Sequence, residues 1–263
     1  MHRRIALGLP GVALATVGGV WVEARRAAHA PLPHFEDNDP SGTYGRRDEP
    51  VQVRVAVLGD SSVTAPGLPS GSHSWIARAC DQLPWEVQLR SYARGGSRVL
   101  DVLGEQAPDA VRDGADLFVV AVGANDVLHL TPGRRFVRHL QELLDELARA
   151  APVATLGIGD LSVIPRIPWS LRRAVARRSV AMDRLHATVS VGRPRVVRVP
   201  VAELCDPHFR IGGRTLFVED LFHPGVRGHA LWGQLFAPFV HAALAEVVDG
   251  AGRGRAHTAP ANG

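Results

Sequence analysis

The sequence contains no lysine, so all 30 of its basic side chains are arginines, set against 26 acidic residues for a formal net charge of +4. Such a preference is typical of a GC-rich coding sequence. The arginines are scattered along the chain, and aromatic residues do not alternate with them to form base-stacking platforms. This pattern argues against nucleic-acid binding, and we expect no nucleic-acid partner.

Cysteine is also scarce, with Cys80 and Cys205 the only two. Two cysteines are too few for a disulfide framework, and their spacing does not match a zinc knuckle. The sequence leaves open whether they pair or remain free, and it favours two buried thiols. His208 follows Cys205 closely, but the spacing matches no strong zinc pattern, so we expect no metal site.

A hydrophobic run of near membrane-spanning length occurs at residues 5–22, with arginines on both sides. About 18 apolar residues are close to the minimum for crossing a bilayer and exceed most signal-peptide cores. We interpret residues 1–30 as a membrane anchor or a cleaved signal segment, and favour the anchor. Residues 31–50, rich in Pro, Asp, Gly and Arg, predict a flexible linker. These segments predict a membrane-associated or exported protein of the cell envelope, with its orientation left open.

Strand-like and helix-like segments alternate over residues 51–249, which we interpret as the catalytic domain. Predicted strands span residues 51–58, 86–92, 116–122, 152–158 and 195–199. Predicted helices span residues 74–83, 97–106, 132–150, 171–191 and 226–248. This alternation predicts a parallel sheet with helices on both faces. Residues 250–263, rich in Gly, Ala, Arg and Pro, predict a disordered tail.

Chemically useful residues follow several of these strands. Ser61 comes directly after the first, in Gly59-Asp60-Ser61-Ser62, and Gly123-Ala124-Asn125-Asp126 follows the third. Arg94-Gly95-Gly96-Ser97 follows the second, and Asp220-Leu221-Phe222-His223-Pro224 precedes the last helix. Ligands bind at the carboxyl edge of such a sheet. A hydroxyl, a glycine turn, an amide, a carboxylate and an imidazole at one edge are the groups that acyl transfer needs.

These four motifs, in this order, resemble the blocks of the SGNH (GDSL) hydrolase family, which includes lysophospholipases and esterases. The resemblance spans about residues 51–248. It implies a three-layer α/β/α, flavodoxin-like sandwich with about five parallel strands. The second block departs from the family pattern, because Ser91-Tyr92-Ala93 stands where an Asn is usual. The resemblance assigns the oxyanion glycine to Gly96, and this departure leaves Gly95 as the alternative.

The resemblance implies that Ser61 is the nucleophile, His223 the general base and Asp220 the residue that orients His223. It also implies an oxyanion hole formed by the Ser61 N–H, the Gly96 N–H and the Asn125 side chain. Neither a cofactor nor a metal ion is implied. Ser62 is the rival nucleophile, and we interpret it as a turn residue. For Asp60 and Asp126 we expect structural hydrogen bonds within turns and loops.

The expected function is a serine esterase that hydrolyses a lipid, lysophospholipid or O-acetyl ester. The alternative is a non-catalytic binding module on the same fold. The apolar stretch of residues 161–169, which includes Trp169, is either an acyl-binding wall or a buried connection. The acyl chain length, the alcohol part of the substrate and the oligomeric state are left open.

Overall fold

The apolar run before Ser61 forms the central strand β2 (Gln52–Gly59) in the computed structural model, which describes residues 33–46 and 51–256. Val53, Val55 and Val57 pack in the core on one face of the sheet, whereas Ala56 and Leu58 pack in the core on the other. Because both faces are covered, the strand is apolar along most of its length rather than alternating.

The sheet contains six strands within the described part of the chain. The five strands beside β2 are β1 (Gly42–Gly45), β3 (Glu86–Ser91), β4 (Leu117–Ala121), β5 (Val153–Leu156) and β6 (Val196–Val199). Their spatial order is β1-β3-β2-β4-β5-β6. All pairs are parallel except β1 with β3. The five predicted strands are confirmed within one or two residues at each end.

Nine α-helices, counted over the described residues, connect or flank the strands. They are α1 (Ser61–Thr64), α2 (Trp75–Asp81), α3 (Val99–Asp101), α4 (Ala107–Asp113), α5 (Ala124–Leu128), α6 (Gly133–Ala150), α7 (Trp169–Ser190), α8 (Val201–Gly212) and α9 (Val226–Ala256). A π-helical segment, Val102–Gln106, joins α3 to α4. Residues of α2, α8 and α9 pack on one face of the sheet, and residues of α3, α4, α6 and α7 pack on the other. The predicted three-layer fold is therefore confirmed.

The strand order places the functional edge between β2 and β4. Counted from β2, the parallel strands follow the doubly wound order 2-1-3-4-5, in which the direction of strand addition reverses beside the first strand. The loops after β2 and β4 diverge at that point and leave a crevice. Ser61 follows β2 and Asn125 follows β4, so both lie at this crevice.

Residues 33–46 correct the expectation of a flexible linker. They contain β1, which pairs antiparallel with β3 from Gly42 opposite Leu89 to Gly45 opposite Glu86. The segment was interpreted as a linker because a four-residue edge strand in a polar sequence has no hydrophobic pattern of its own. The pairing partner on β3 supplies the stability that the local sequence lacks.

The C-terminal half differs from prediction in two further places. Helix α8 was not predicted, because Pro207 interrupts its pattern. Helix α9 continues to Ala256, so residues 250–256 of the predicted tail are helical.

No helix in the described ranges is long and apolar enough to cross a membrane. The proposed anchor at residues 5–22 lies outside those ranges.

Candidate active site

Ser61 is presented by a tight turn at the end of β2. Gly59 ends the strand so close to β4 that a Cβ atom there would lie 2.2 Å from the carbonyl oxygen of Ala121. Asp60 then caps α1, with its Oδ1 accepting a hydrogen bond from the Ser62 N–H at 2.9 Å. Ser61 is the first residue of α1, where helix geometry leaves the backbone N–H without an intrahelical acceptor.

Asp220 and His223 form a paired unit in the turn before α9. The Asp220 Oδ2 lies 2.6 Å from the His223 Nδ1, and the Asp220 Oδ1 accepts the backbone N–H groups of Phe222 and His223 at 2.8 and 2.9 Å. Burial opposes ionisation of Asp220, but these hydrogen bonds outweigh it and lower the pKa of the carboxyl group. An ionised Asp220 holds the proton on Nδ1, which leaves Nε2 as the basic nitrogen.

A cavity of about 150 Å³ brings the two halves of the site together. Ser61, Asn125 and His223 all line it. Most of its wall is apolar and comes from the ends of β4 and β5, the 161–164 loop, α8 and α9. The principal wall residues are Leu156, Ile158, Leu161, Ile164, Phe209 and Trp232. The predicted convergence of these motifs is therefore observed for the serine, amide and imidazole.

The loop of residues 94–97, here called the glycine loop, lies beside this cavity and is not part of its wall. Gly96 is exposed and has φ +78°, a conformation that favours glycine, and a Cβ atom there would meet nothing within 4 Å. The Gly95 N–H donates to Asp37 Oδ2 at 2.7 Å and is therefore occupied. Of the two glycines, Gly96 is the one whose N–H is left for another acceptor.

Asn125 connects the glycine loop to the serine turn. Its Nδ2 donates to the Ser97 carbonyl oxygen at 3.1 Å and makes a longer contact of 3.4 Å with Asp60 Oδ2. Asn125 also lines the cavity, so its side-chain amide lies between these two segments and the ligand space.

Gln106 supports the site through hydrogen bonds that the sequence did not predict. Its buried side chain bonds both backbone groups of Gly59, accepting the N–H at 2.8 Å and donating to the carbonyl oxygen at 2.9 Å. The same Nε2 lies 3.1 Å from Ser97 Oγ. Gln106 thus ties the end of β2 to the glycine loop. An available signal was its place seven residues after Val99, on the apolar face of the predicted helix.

His229 and Trp75 form a second support that was not predicted. The fully buried His229 accepts the Trp75 N–H at its Nδ1, and the Trp75 indole donates to the Ser62 carbonyl oxygen at 2.9 Å. Burial, with the nearby Arg78 and His223, lowers the pKa of His229 to about 3. His229 is therefore neutral near pH 7, and it supports the turn at Ser61 and Ser62 through Trp75.

The acidic neighbours of the motifs have structural contacts, as expected. Asp60 caps α1, and Asp126 Oδ2 accepts the Val99 N–H at 3.0 Å. Burial raises the pKa of Asp60 to about 6 and also raises that of Asp126.

Both cysteines are free and buried, as the sequence favoured. Burial raises the pKa of Cys205 to about 12. Within the described ranges, no group of three or more His, Cys, Asp or Glu side chains is arranged to hold a metal ion.

The 161–169 stretch divides into two parts. Leu161, Val163 and Ile164 line the cavity, whereas Trp169 is 82% exposed and does not. The first part of the stretch therefore forms part of the cavity wall, whereas Trp169 belongs neither to that wall nor to a buried connection.

The chain is similar to known proteins over most of its length. The GDSL-like lipase/acylhydrolase family model matches residues 57–231. A GDSL-like esterase from Mycobacterium tuberculosis is 31% identical over 275 aligned residues, covering 95% of this chain and 87% of that protein.

Two solved structures share the fold. A member of the lipolytic G-D-S-L family from Veillonella parvula has 16% identity and a TM-score of 0.57, covering 72% of this chain and 97% of that one. A catalytic mutant of an acetylxylan esterase from Geobacillus stearothermophilus has 13% identity and a TM-score of 0.56, covering 72% and 94%.

Proposed function

The chain belongs to the GDSL-like lipase/acylhydrolase family and is a serine ester hydrolase; from this premise we propose that Ser61, His223 and Asp220 carry out the reaction through an acyl-enzyme. The observation that carries the proposal is the 2.6 Å contact between Asp220 and His223 at a cavity that Ser61 also lines. No other histidine pairs with a carboxylate at this cavity within the described part of the chain.

In the first half of the reaction, Ser61 Oγ attacks the ester carbonyl carbon while His223 Nε2 takes the hydroxyl proton. The tetrahedral intermediate collapses when His223 gives that proton to the leaving alcohol. A water molecule then attacks the acyl-Ser61 ester, again with His223 as base, and releases the carboxylic acid. Asp220 stabilises the imidazolium that forms in each half.

The negative oxygen of each intermediate is stabilised by three donors: the Ser61 N–H, the Gly96 N–H and Asn125 Nδ2. The free first-turn N–H of α1 and the occupied N–H of Gly95 support this assignment. Removing one such donor typically costs about 3–4 kcal/mol, or roughly 10²–10³ in rate.

A matched pair of substitutions distinguishes Ser61 from Ser62 as the nucleophile. Ser61→Ala is expected to lower the hydrolysis rate of p-nitrophenyl butyrate by at least about 10³-fold, while Ser62→Ala keeps most of it. The Ser62 N–H and carbonyl oxygen hold the turn through Asp60 and Trp75, and Ser62→Ala keeps both of these backbone contacts. Retained activity in Ser61→Ala would place the nucleophile elsewhere.

The substrate is a carboxylic ester whose acyl group enters the apolar cavity. An apolar cavity of about 150 Å³ has room for a group of about six carbon atoms. We therefore propose a short-to-medium acyl chain, rather than an acetyl group alone or a long lipid chain. The alcohol part lies toward the open side of the site.

A chain-length series of p-nitrophenyl esters tests this substrate class. The highest kcat/KM is expected between four and eight acyl carbons, with a fall at twelve because the cavity ends. A preference for acetate would indicate an O-acetyl esterase. A rate that still rises at sixteen carbons would indicate a long-chain lipid or lysophospholipid substrate.

We further propose that residues 5–22 hold the enzyme at the cell envelope, on the strength of their apolar length and basic flanks. Fractionation of cells, with mass determination of the protein's N-terminus, tests this. A protein that keeps residues 1–30 and still appears in the soluble fraction would contradict the anchor.

A further inference from the structure

The segment before the family match reaches the active site. Residues 33–41, here called the N-terminal strap, precede both β1 and the family match, which begins at residue 57. The strap crosses the edge of the sheet toward the serine turn. Asn38 anchors it there: its N–H donates to the Thr64 carbonyl oxygen at 2.9 Å and its Nδ2 to the Ala65 carbonyl oxygen at 2.8 Å.

Asp37 on this strap joins the two segments that carry the backbone donors of the proposed oxyanion hole. Its Oδ1 accepts the Thr64 hydroxyl at 2.6 Å, and Thr64 is the last residue of the short helix that begins with Ser61. Its Oδ2 accepts the Gly95 N–H at 2.7 Å, next to Gly96. One carboxylate therefore spans the serine helix and the glycine loop, whose residues are otherwise far apart in the chain.

The fit between Asp37 and Gly95 is close. A Cβ atom at Gly95 would lie 2.6 Å from Asp37 Oδ1, closer than such atoms approach in proteins, and Gly95 does not have a positive φ. The Asp37 carboxylate therefore occupies the position that a side chain at residue 95 would need. This observation accounts for a glycine that backbone conformation does not require.

We propose that Asp37 is a positioning residue for the oxyanion hole. Its carboxylate sets the spacing between α1 and the Gly95–Gly96 loop. By engaging the Gly95 N–H, it also fixes the orientation in which the Gly96 N–H is presented. Hydrogen bonds to a carboxylate are short and directional, which suits this role. The inference rests on the proposed function, because it acts through the proposed Ser61 and Gly96 donors.

Asp37 is solvent-exposed, so its two hydrogen bonds add little to folding stability. Its effect is expected in kcat, because small displacements of catalytic groups lower the rate strongly without unfolding the protein.

The chain offers a matched control in Asp39. Among the described residues, its carboxylate accepts hydrogen bonds from the N–H and the hydroxyl of Ser41, which lies in the strap itself. Asp37→Ala is expected to lower kcat for p-nitrophenyl butyrate by about 10–100-fold, with KM changed less than about threefold. Asp37→Asn retains one acceptor and is expected to recover much of the rate, and Asp39→Asn stays close to wild type.

A double-mutant cycle distinguishes a positioning effect on kcat from an effect caused by a smaller fraction of folded protein. In a Gly96→Ala background, Asp37→Ala is expected to cost much less than in the wild type, because both changes affect the same donor. Equal costs in the two backgrounds, or a kcat loss that follows a lower Tm, would overturn the positioning role.

The failure of this inference is distinguishable from the failure of the proposed function. If the wild type hydrolyses the ester and Asp37→Ala has the same kcat, only the role of Asp37 is overturned. If the wild type neither hydrolyses the ester nor reacts at Ser61 with a serine-directed phosphonate, both proposals fall.

Discussion

At the scale of single residues, the site separates into groups that sequence motifs reveal and groups that they do not. Ser61, Asn125, Asp220 and His223 stand in short motifs at strand ends or before the last helix, and the structure brings them to one edge. Gln106, Asp37 and His229 support them from distant places in the chain. Their roles depend on contacts between residues 47, 58 and 154 positions apart, which no local pattern encodes.

Gly96 stays a predicted oxyanion donor, and the structure shows why its position favours glycine. The structure shows open space around Gly96 and a φ of +78°. Backbone conformation is therefore the requirement that the fold itself imposes at this position.

Gln106 carries a prediction at this scale. Gln106→Glu keeps the shape of the side chain but removes the N–H groups that bond Gly59 and Ser97. Because buried polar groups then lose a partner, we expect the free energy of unfolding to fall by about 1–3 kcal/mol and kcat by about tenfold or more. Chemical denaturation and steady-state kinetics measure the two effects.

The control for this prediction is Gln82→Glu, at an exposed residue whose side chain bonds backbone carbonyl oxygens on the surface. It is expected to change neither quantity appreciably. Wild-type kcat in Gln106→Glu would show that the Gly59 contact does not matter for the reaction.

At the scale of elements, hydrophobic pattern predicts the parallel strands and the long helices well. Each of these buries enough apolar surface to be visible in the sequence, as in α6, where Phe136, Leu140 and Leu144 recur on one face. Strand β1 and helix α8 were missed for different reasons. The first depends on its partner β3, and the second contains a proline that normally signals a break.

The loop after β5 gives a prediction about substrate length. Ile164 is 9% exposed and lines the cavity, so Ile164→Ala is expected to deepen it. The ratio of eight-carbon to four-carbon ester rates should rise by about threefold to tenfold, since each added methylene gains apolar contact. The p-nitrophenyl ester series measures this ratio.

Trp169→Ala is the comparison variant from the same stretch, because its side chain is 82% exposed and outside the cavity. It should leave the ratio within about twofold of the wild type. A larger change with Trp169→Ala than with Ile164→Ala would reverse the assignment of the wall.

At the scale of the whole molecule, buried histidines and buried carboxyl groups have opposite effects on the free energy of unfolding as pH falls. Burial lowers the pKa of His186 to about 4 and that of His229 to about 3, below the usual value of about 6.5. The unfolded chain therefore takes up protons first, and stability falls with pH below about 6.5. Burial raises the pKa of Asp60 and Asp206 to about 6, so the folded state takes up those protons first and offsets the loss.

Asp206→Asn tests this balance. Above pH 6 the variant no longer buries an ionised carboxylate, so it should be more stable than the wild type by about 1–2 kcal/mol, and the gain should disappear near pH 4. Urea denaturation at a series of pH values measures the difference. Asp109→Asn, at an exposed salt bridge, serves as the control. A gain for Asp206→Asn that is constant with pH would contradict the raised pKa.

The central claim is that Ser61 is the nucleophile activated by His223, and covalent labelling tests it most directly. Because the chain has no lysine, trypsin cleaves only after arginine and releases residues 55–78, which include both Ser61 and Ser62. After reaction with an alkyl p-nitrophenyl phosphonate, fragmentation of this peptide by mass spectrometry is expected to place the adduct on Ser61, with slower labelling in His223→Gln. An adduct on Ser62, or ester hydrolysis that continues with no adduct on Ser61, would contradict the account.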